Sequence, residues 1–192
     1  AGLRDLQSKR NIEKVISHVN EGLKSCNSQN VPIFVKLSPE IRKADLKHII
    51  ARSDVLNISG LIISNTTTSR DFDLKSNKAK QSGGLSGKPL FKKSTDLLIE
   101  SNFYSNLFEK QLFLIAAGGI EDSFTAYIKI LSGAHLIQIY SALVFKGPFL
   151  INEINKGLKK YLIRDNFNSL HEARGVAKTF EEAKKIATDG LF

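Results

Sequence analysis

The residues best suited to chemistry stand at the ends of short apolar segments. Lys36 lies in the mainly apolar segment 31–39, and Asn65 and Thr66 directly follow another apolar run. A lysine in an apolar setting is costly to desolvate unless it meets an anion or an electron-rich ligand, while amide and hydroxyl groups can hydrogen-bond a polar ring. These residues indicate a site for a small polar molecule. Two simpler interpretations stay open: Lys36 reaches solvent at a strand end, and residues 65–68 supply turn and capping chemistry.

Glycines and polar residues extend this pattern along the chain. Gly118 and Gly119 directly follow an apolar run, GGLSGKP occupies residues 83–89, and Tyr140 and Ser141 follow a fourth apolar run. Backbone amides next to glycine can approach a phosphate closely, which predicts an anion site at these turns. A tight turn or a flexible loop would need the same glycines, so each motif alone leaves both interpretations open.

Short apolar runs alternate with amphipathic stretches, and this order must position the polar residues. The runs are rich in Ile, Val, Leu and Phe and too short for core helices, which predicts strands buried on both faces. The predicted strands lie within residues 31–39, 59–66, 111–119 and 134–143. The predicted helices span residues 11–24, 39–52, 94–101, 123–132 and 148–162. Strand followed by helix, four times over, predicts parallel βα units in an α/β fold.

The polar residues fall at the carboxyl end of every predicted strand, where α/β barrels build their sites. Four units make half of an eight-unit barrel, so the patterning is compatible with a small open sheet or with half a barrel. The segment 67–89 is longer than most connections and is a candidate lid. Beyond residue 164 the sequence indicates a loop and a short helix around residues 181–187.

Composition limits the partners. The net charge of +9 suits an anionic partner, but the lysines are scattered and no aromatic-interleaved basic motif favours nucleic acid. Cys26 is the single cysteine and the four histidines lack metal-ligand spacing, so we predict neither a disulfide nor a metal site. No apolar run approaches the length of a membrane span, the amino terminus does not resemble a signal peptide, and Ala1 is not a natural start.

Six motifs, in order, resemble the carboxyl-terminal half of the class 2, quinone-dependent dihydroorotate dehydrogenases. They are AGLRDLQ (1–7), VKLSPE (35–40), SNTT (64–67), GGLSGKPL (83–90), AAGGI (116–120) and QIYSALVFKGP (138–148). The resemblance runs to about residue 170 and implies a (β/α)8 TIM barrel of which this chain holds about four βα units. It leaves a tail, residues 171–192, with no assigned role.

The resemblance also implies the chemistry. Family members carry FMN, oxidise dihydroorotate to orotate in pyrimidine synthesis and pass electrons to a quinone at a membrane. The expected location is the mitochondrial inner membrane in a eukaryote, or the periphery of the inner membrane in a bacterium. Two alternatives stay open: another phosphate-binding barrel enzyme without flavin, such as an isomerase or lyase, and a non-catalytic phosphate-binding module.

Each candidate residue takes a role from this resemblance. Lys36 matches the lysine beside the pyrimidine end of the flavin, where a fixed cation stabilises negative charge. Ser64 matches a flavin contact, and Asn65 and Thr66 match the pair that binds the substrate ring. The positions expected to hold the FMN ribityl phosphate, mostly through backbone amides, are Gly87, Gly119, Tyr140 and Ser141, and Gly118 is a further cofactor-binding candidate. Relatives often have threonine at position 141.

The family's catalytic serine base, several substrate-binding asparagines and the helices of the quinone entrance are expected upstream of Ala1. We therefore expect a missing amino-terminal half of the same protein as a partner, with peripheral membrane contact made through that part. The 192 residues alone are expected to be inactive.

Overall fold

The computed structural model describes residues 6–72, 74–76, 78–79 and 81–191. The strands are β1 (Ile33–Leu37), β2 (Ile58–Ile63), β3 (Phe113–Ala117) and β4 (Leu136–Gln138). The helices are α1 (Lys9–Ser25), α2 (Lys43–Ala51), α3 (Phe91–Leu107), α4 (Ser123–Leu131), α5 (Ser141–Lys146), α6 (Phe149–Arg164), α7 (Leu170–Ala173) and α8 (Phe180–Asp189). None of the described helices is both long and apolar enough to cross a membrane.

The four strands form one parallel sheet in the order β1-β2-β3-β4. Each strand therefore pairs with the next strand of the chain. Right-handed crossovers between consecutive neighbours place all the connecting helices on one face of the sheet. A doubly wound sheet would instead reverse its strand order at some point. The order confirms the predicted parallel βα units and is that of a barrel segment.

The two faces of the sheet differ in burial. Val35, Leu37, Leu61, Ile63 and Leu114 are buried beneath the helices. On the opposite face, alternate residues of the strands are exposed, including Phe34, Lys36, Leu136 and Gln138. The prediction that the strands are buried on both faces is therefore wrong for this chain. The helices of this chain cover one face of the sheet only. In a complete barrel, the open face would line the interior.

An aromatic layer lies on the open face at the amino-terminal ends of the strands. The rings of Phe34 and Phe113 meet edge to face, with centroids 6.1 Å apart. Gly60 lies between them in the register, and a Cβ there would clash with the Phe34 ring and the Phe113 carbonyl oxygen. Because Gly60 has no side chain, the two rings can fill this end of the sheet. The polar residues lie at the opposite end, at the carboxyl ends of the strands.

Most predicted elements are confirmed, with differences at their ends. Helix α2 begins at Lys43 rather than residue 39, because residues 38–41 form a turn in which the Ile41 amide donates to the Ser38 carbonyl at 3.1 Å. Helix α3 exceeds the predicted 94–101 at both ends. The predicted strand 134–143 is wrong after Gln138, because α5 begins at Ser141.

The tail packs against the helices. Arg164 donates to the carbonyl oxygens of Ile186 and Ala187 at 2.6 and 2.9 Å, which fixes the carboxyl end of α8. The Phe180 ring, at the start of α8, lies edge-on to Phe91 of α3 at 5.9 Å. The predicted tail helix is thus confirmed and somewhat longer, and it covers α3 and α4.

Candidate functional site

All nine predicted site residues line one cavity of about 890 Å³ at the carboxyl ends of the four strands. They come from every βα unit of the chain: Lys36, Ser64, Asn65, Thr66, Gly87, Gly118, Gly119, Tyr140 and Ser141. Parallel strands bring their carboxyl ends to the same edge of the sheet, so residues more than a hundred positions apart meet there. The walls are completed by the 84–90 segment and by residues of α5.

Lys36 stands on the open face of β1, beside Ile62 of β2 in the register. Its ammonium group makes no hydrogen bond or ion pair with any described residue, and the side chain is exposed. Its backbone is held by Gln7, whose amide nitrogen donates to the Lys36 carbonyl at 3.2 Å and whose oxygen accepts from the Ser38 amide at 2.8 Å. Sequence reasoning did not assign Gln7 this role, although it belongs to the AGLRDLQ motif.

The end of β2 is anchored to both neighbouring strands. The Ser64 amide donates to the Ala117 carbonyl at 3.0 Å, and the Asn65 amide donates to the Leu37 carbonyl at 2.8 Å. The Asn65 side-chain oxygen accepts from the Thr66 amide at 2.9 Å, while its nitrogen meets no described residue. Asn65 therefore presents two N–H donors at the cavity wall, on a backbone whose position is fixed.

Thr67 supports the site from behind. Its hydroxyl donates to the carboxylate of Glu40, which also accepts from Ser38 at 3.1 Å and from Lys93 at 2.9 Å. Burial raises the pKa of the Glu40 carboxyl, but the hydrogen bonds from Thr67, Lys93 and Ser38 outweigh it and leave that pKa below its ordinary value. Glu40 thus joins the ends of β1 and β2 to α3, a role that sequence reasoning missed.

Residues 84–89, at the end of the segment 67–89, form one wall of the cavity. The Arg70 guanidinium donates to five carbonyl oxygens of the segment at 2.8–3.2 Å: those of Thr68, Ser69, Ala79, Gln81 and Gly83. Thr67 and Leu85 then pair through two backbone hydrogen bonds of 3.1 and 2.7 Å. The Ser86 and Ser141 hydroxyls lie 2.9 Å apart, which joins the segment to the start of α5.

Unpaired backbone amides face the far end of the cavity. The N–H groups of Gly87, Gly119 and Ser141 make no hydrogen bond to any described residue. Gly119 has φ +75°, and its missing Cβ points at the backbone of Phe91, whose nitrogen would lie 2.8 Å away. Glycine therefore lets this turn rest directly on the start of α3. Amides left unpaired at such turns are suited to an anion.

Basic side chains border the same end. Lys88 Nζ lies 3.6 Å from the Glu121 carboxylate, and Lys146 Nζ donates to the Glu121 carbonyl at 2.8 Å. Within the described ranges, no group of three or more histidine, cysteine, aspartate or glutamate side chains could hold a metal ion. The cavity thus combines an amide-lined, basic end with a polar end around Lys36 and Asn65.

Comparison with known proteins agrees with this geometry. The family model for dihydroorotate dehydrogenase matches residues 1–162. The dihydroorotate dehydrogenase (quinone) of Natronomonas pharaonis is 38% identical over 175 residues, which are 91% of this chain and 47% of that protein. The mitochondrial dihydroorotate dehydrogenase (quinone) of Arabidopsis thaliana is 39% identical over 179 residues, 91% of this chain and 38% of that protein.

Solved structures extend the comparison to the fold. The ligand-free crystal structure of DHODH from Eimeria tenella superposes with a TM-score of 0.83 at 28% identity, covering 92% of this chain and 52% of that one. The same enzyme in complex with ferulenol gives a TM-score of 0.82 at 26% identity. The chain spans about half the length of the relatives it matches, which confirms that its four βα units are half of a TIM barrel. The two sequence relatives, from Natronomonas pharaonis and Arabidopsis thaliana, are dihydroorotate dehydrogenases (quinone), and this chain belongs to the dihydroorotate dehydrogenase family.

Proposed function

We propose that this chain is the flavin- and substrate-binding half of an enzyme that oxidises dihydroorotate to orotate in de novo pyrimidine synthesis, with a quinone as electron acceptor. The observation that carries the proposal is that residues from all four βα units, each matching a family motif, line a single cavity. No observation favours a flavin-free isomerase or lyase, or a non-catalytic phosphate-binding module.

The residues that line the cavity suit FMN in their chemistry. The unpaired amides of Gly87, Gly119 and Ser141 would hold the phosphate, with Gly118 and Tyr140 beside them. Lys36 would lie at the flavin ring and supply a fixed positive charge where negative charge develops, and Ser64 would contact the ring. When bound, FMN supplies the redox chemistry, taking two electrons from the substrate and passing them to the quinone.

Asn65 and Thr66 would orient the substrate. Dihydroorotate carries a carboxylate and ring carbonyl oxygens, which are acceptors for the two N–H donors of the Asn65 amide. Thr66 lines the cavity next to Asn65, and its side chain is packed closely against Gly84. Two polar groups fixed by the same strand end would hold the ring in one orientation.

The proton acceptor would come from outside this chain. Ser64 Oγ already donates to the Asn65 carbonyl at 2.9 Å, and the hydroxyls of Ser86 and Ser141 pair with each other at the opposite end. These three serines of the cavity wall are therefore poorly placed to remove a substrate proton near Asn65. A base on a companion segment fits the open side of the cavity, as expected from the family.

The companion would also complete the barrel. The open face of the sheet and the exposed side chains of Phe34, Leu136 and Phe145 give it an apolar surface to cover. Strands β1 and β4 are both edges, each able to pair with one further strand. Contact with the quinone and the membrane would be made through the companion, at the mitochondrial inner membrane in a eukaryote or the inner-membrane periphery in a bacterium.

The proposal is tested by purifying residues 1–192 alone and joined to a companion half. The joined protein is expected to show flavin absorption and to reduce a quinone when dihydroorotate is added, whereas residues 1–192 alone should lack dehydrogenase activity. A colourless joined protein would contradict the flavin assignment. Full activity of residues 1–192 alone would contradict the assignment of the base to the companion.

A further inference from the structure

Lys129 is a lysine with no access to solvent. It lies on α4, its relative exposure is 0%, and it does not line the cavity. Its amine donates to Ser94 Oγ at 2.6 Å and to the Phe91 carbonyl at 3.4 Å, and it lies 4.9 Å from the centre of the Phe91 ring. No carboxylate of a described residue lies within ion-pair distance. Burying an amine that has no carboxylate partner costs free energy, so a lysine at this position needs an explanation.

The partners of Lys129 are the residues on which the glycine turn rests. Ser94 Oγ lies 3.1 Å from the Gly118 carbonyl and 3.0 Å from the Phe91 carbonyl. Its single proton can serve only one of them, and the Phe91 carbonyl already accepts from Thr95 Oγ1 at 2.7 Å. With Lys129 donating to the Ser94 oxygen, the hydroxyl proton is available to Gly118.

Phe91 forms the second support. The backbone of Phe91 fills the place where a Gly119 side chain would stand, so any shift of Phe91 moves the turn. The Phe91 ring has Lys129 over its face and the Phe180 ring of α8 edge-on at 5.9 Å. The start of α3 is thus held by a buried amine and by the carboxyl-terminal tail.

We propose that Lys129 is a positioning residue for the anion-binding turn at Gly118 and Gly119, acting through Ser94 and Phe91 without touching the anion. The inference rests on the proposed function, in which the anion is the phosphate of FMN. Burial lowers the pKa of the Lys129 amine well below its ordinary value, with the charge of Asp96 opposing the shift. The amine acts on the turn through its hydrogen bonds to Ser94 Oγ and the Phe91 carbonyl.

The test compares two ligands that differ by the phosphate alone. FMN and riboflavin are titrated into the apoprotein of the joined enzyme, in the wild type and in Lys129→Met and Ser94→Ala. Lys129→Met keeps the length and the apolar stem of the side chain, and Ser94→Ala removes only the hydroxyl that reaches Gly118. We expect each variant to bind FMN about tenfold more weakly, the effect of one lost buried hydrogen bond, while riboflavin affinity changes less than twofold.

Leu98→Ala is the matched control, because Leu98 is fully buried on α3, one helical turn after Ser94, and does not line the cavity. It should lower thermal stability while leaving the ratio of FMN to riboflavin affinity at the wild-type value. An unchanged ratio in both Lys129→Met and Ser94→Ala would overturn the positioning role, since a general loss of packing weakens both ligands alike. If one variant fails to fold, the other decides. A wild type that binds the two flavins equally would overturn the phosphate site itself.

Discussion

The carboxylate of Glu40 accepts a hydrogen bond from the hydroxyl of Thr67, and this contact joins the carboxyl ends of β1 and β2 directly behind the candidate site. Lys93 of α3 donates to the same carboxylate oxygen at 2.9 Å. Thr67 is fully buried, and Asn65 and Thr66 precede it in the chain. The position of the proposed substrate-binding pair therefore depends on a link between two residues that do not line the cavity.

Thr67→Val keeps the shape of the side chain and removes this hydrogen bond. We expect the free energy of unfolding to fall by roughly 1–3 kcal/mol, because the Glu40 carboxylate loses a buried donor. A double-mutant cycle with Glu40→Gln, measured by urea unfolding, gives the coupling free energy between the two residues. This energy excludes the effects of each substitution on other contacts. A coupling energy near zero would show that the two residues act independently.

Lys36→Met should slow flavin reduction by dihydroorotate about 100-fold, the usual scale for a group that stabilises developing charge. Flavin content should stay near the wild-type value, since the amides at the opposite end of the cavity hold the phosphate. Stopped-flow absorbance measures the reduction rate. Lys88→Met is the matched control at the phosphate end, and a similar slowing in both variants would indicate a loss of general positive potential instead.

Asn65→Ala should weaken orotate binding by roughly 1–3 kcal/mol, because removing the side-chain amide leaves buried ligand oxygens without hydrogen-bond donors. Flavin should remain bound. Thr68→Ala is the control, because Thr68 belongs to the same run of polar residues but does not line the cavity. Orotate affinity is followed by its effect on the flavin spectrum. Equal affinities for the wild type and Asn65→Ala would reduce residues 65–68 to turn chemistry.

The sequence was sufficient to predict the cavity walls because their signal is local. An apolar run that ends in polar residues or glycine identifies the end of a parallel strand. In a parallel sheet these ends lie at one edge, so the residues that follow them are close in space. The same logic failed at Ser141. The residues from Tyr140 to Phe145 continue the apolar character of β4, so nothing in the pattern separates a longer strand from the helix α5 that begins there.

Supporting residues were missed because their partners are distant in the chain. Glu40 meets Thr67 and Lys93, which lie 27 and 53 positions away. Lys129 lies in a predicted helix, where a lysine normally faces solvent, but residues 126–131 of α4 are all buried. Burial of the strands was overestimated for a related reason. Periodicity identifies an apolar face, but it does not show whether other parts of the same 192 residues pack against that face.

Gly119→Val should abolish flavin retention and lower the free energy of unfolding by about 2–4 kcal/mol, combining strain at φ +75° with overpacking against Phe91. The clash is with the start of α3, so the turn must move. Gly22→Ala is the control, because that helical glycine has open space around it and should tolerate the change. Full flavin content in Gly119→Val after gel filtration would remove the turn from the site.

His135 makes stability depend on pH. Its Nδ1 accepts a hydrogen bond from the Leu114 amide at 3.1 Å, and its ring packs 4.4 Å from that of Phe113. Burial, aided by the charges of Arg174 and His171, lowers the pKa of His135 from its ordinary value of 6.5 to about 4. The unfolded chain therefore binds this proton more readily than the folded one between these two values.

It follows that the stabilising contribution of neutral His135 is complete above about pH 6.5 and is lost as the pH falls towards 4. His135→Asn retains an acceptor for the Leu114 amide but cannot titrate, so it should remove this part of the pH dependence. Urea unfolding of both proteins at several pH values between 7 and 4 measures the difference. Carboxylates titrate equally in both proteins and cancel, so parallel stability curves would mean that His135 does not sense pH.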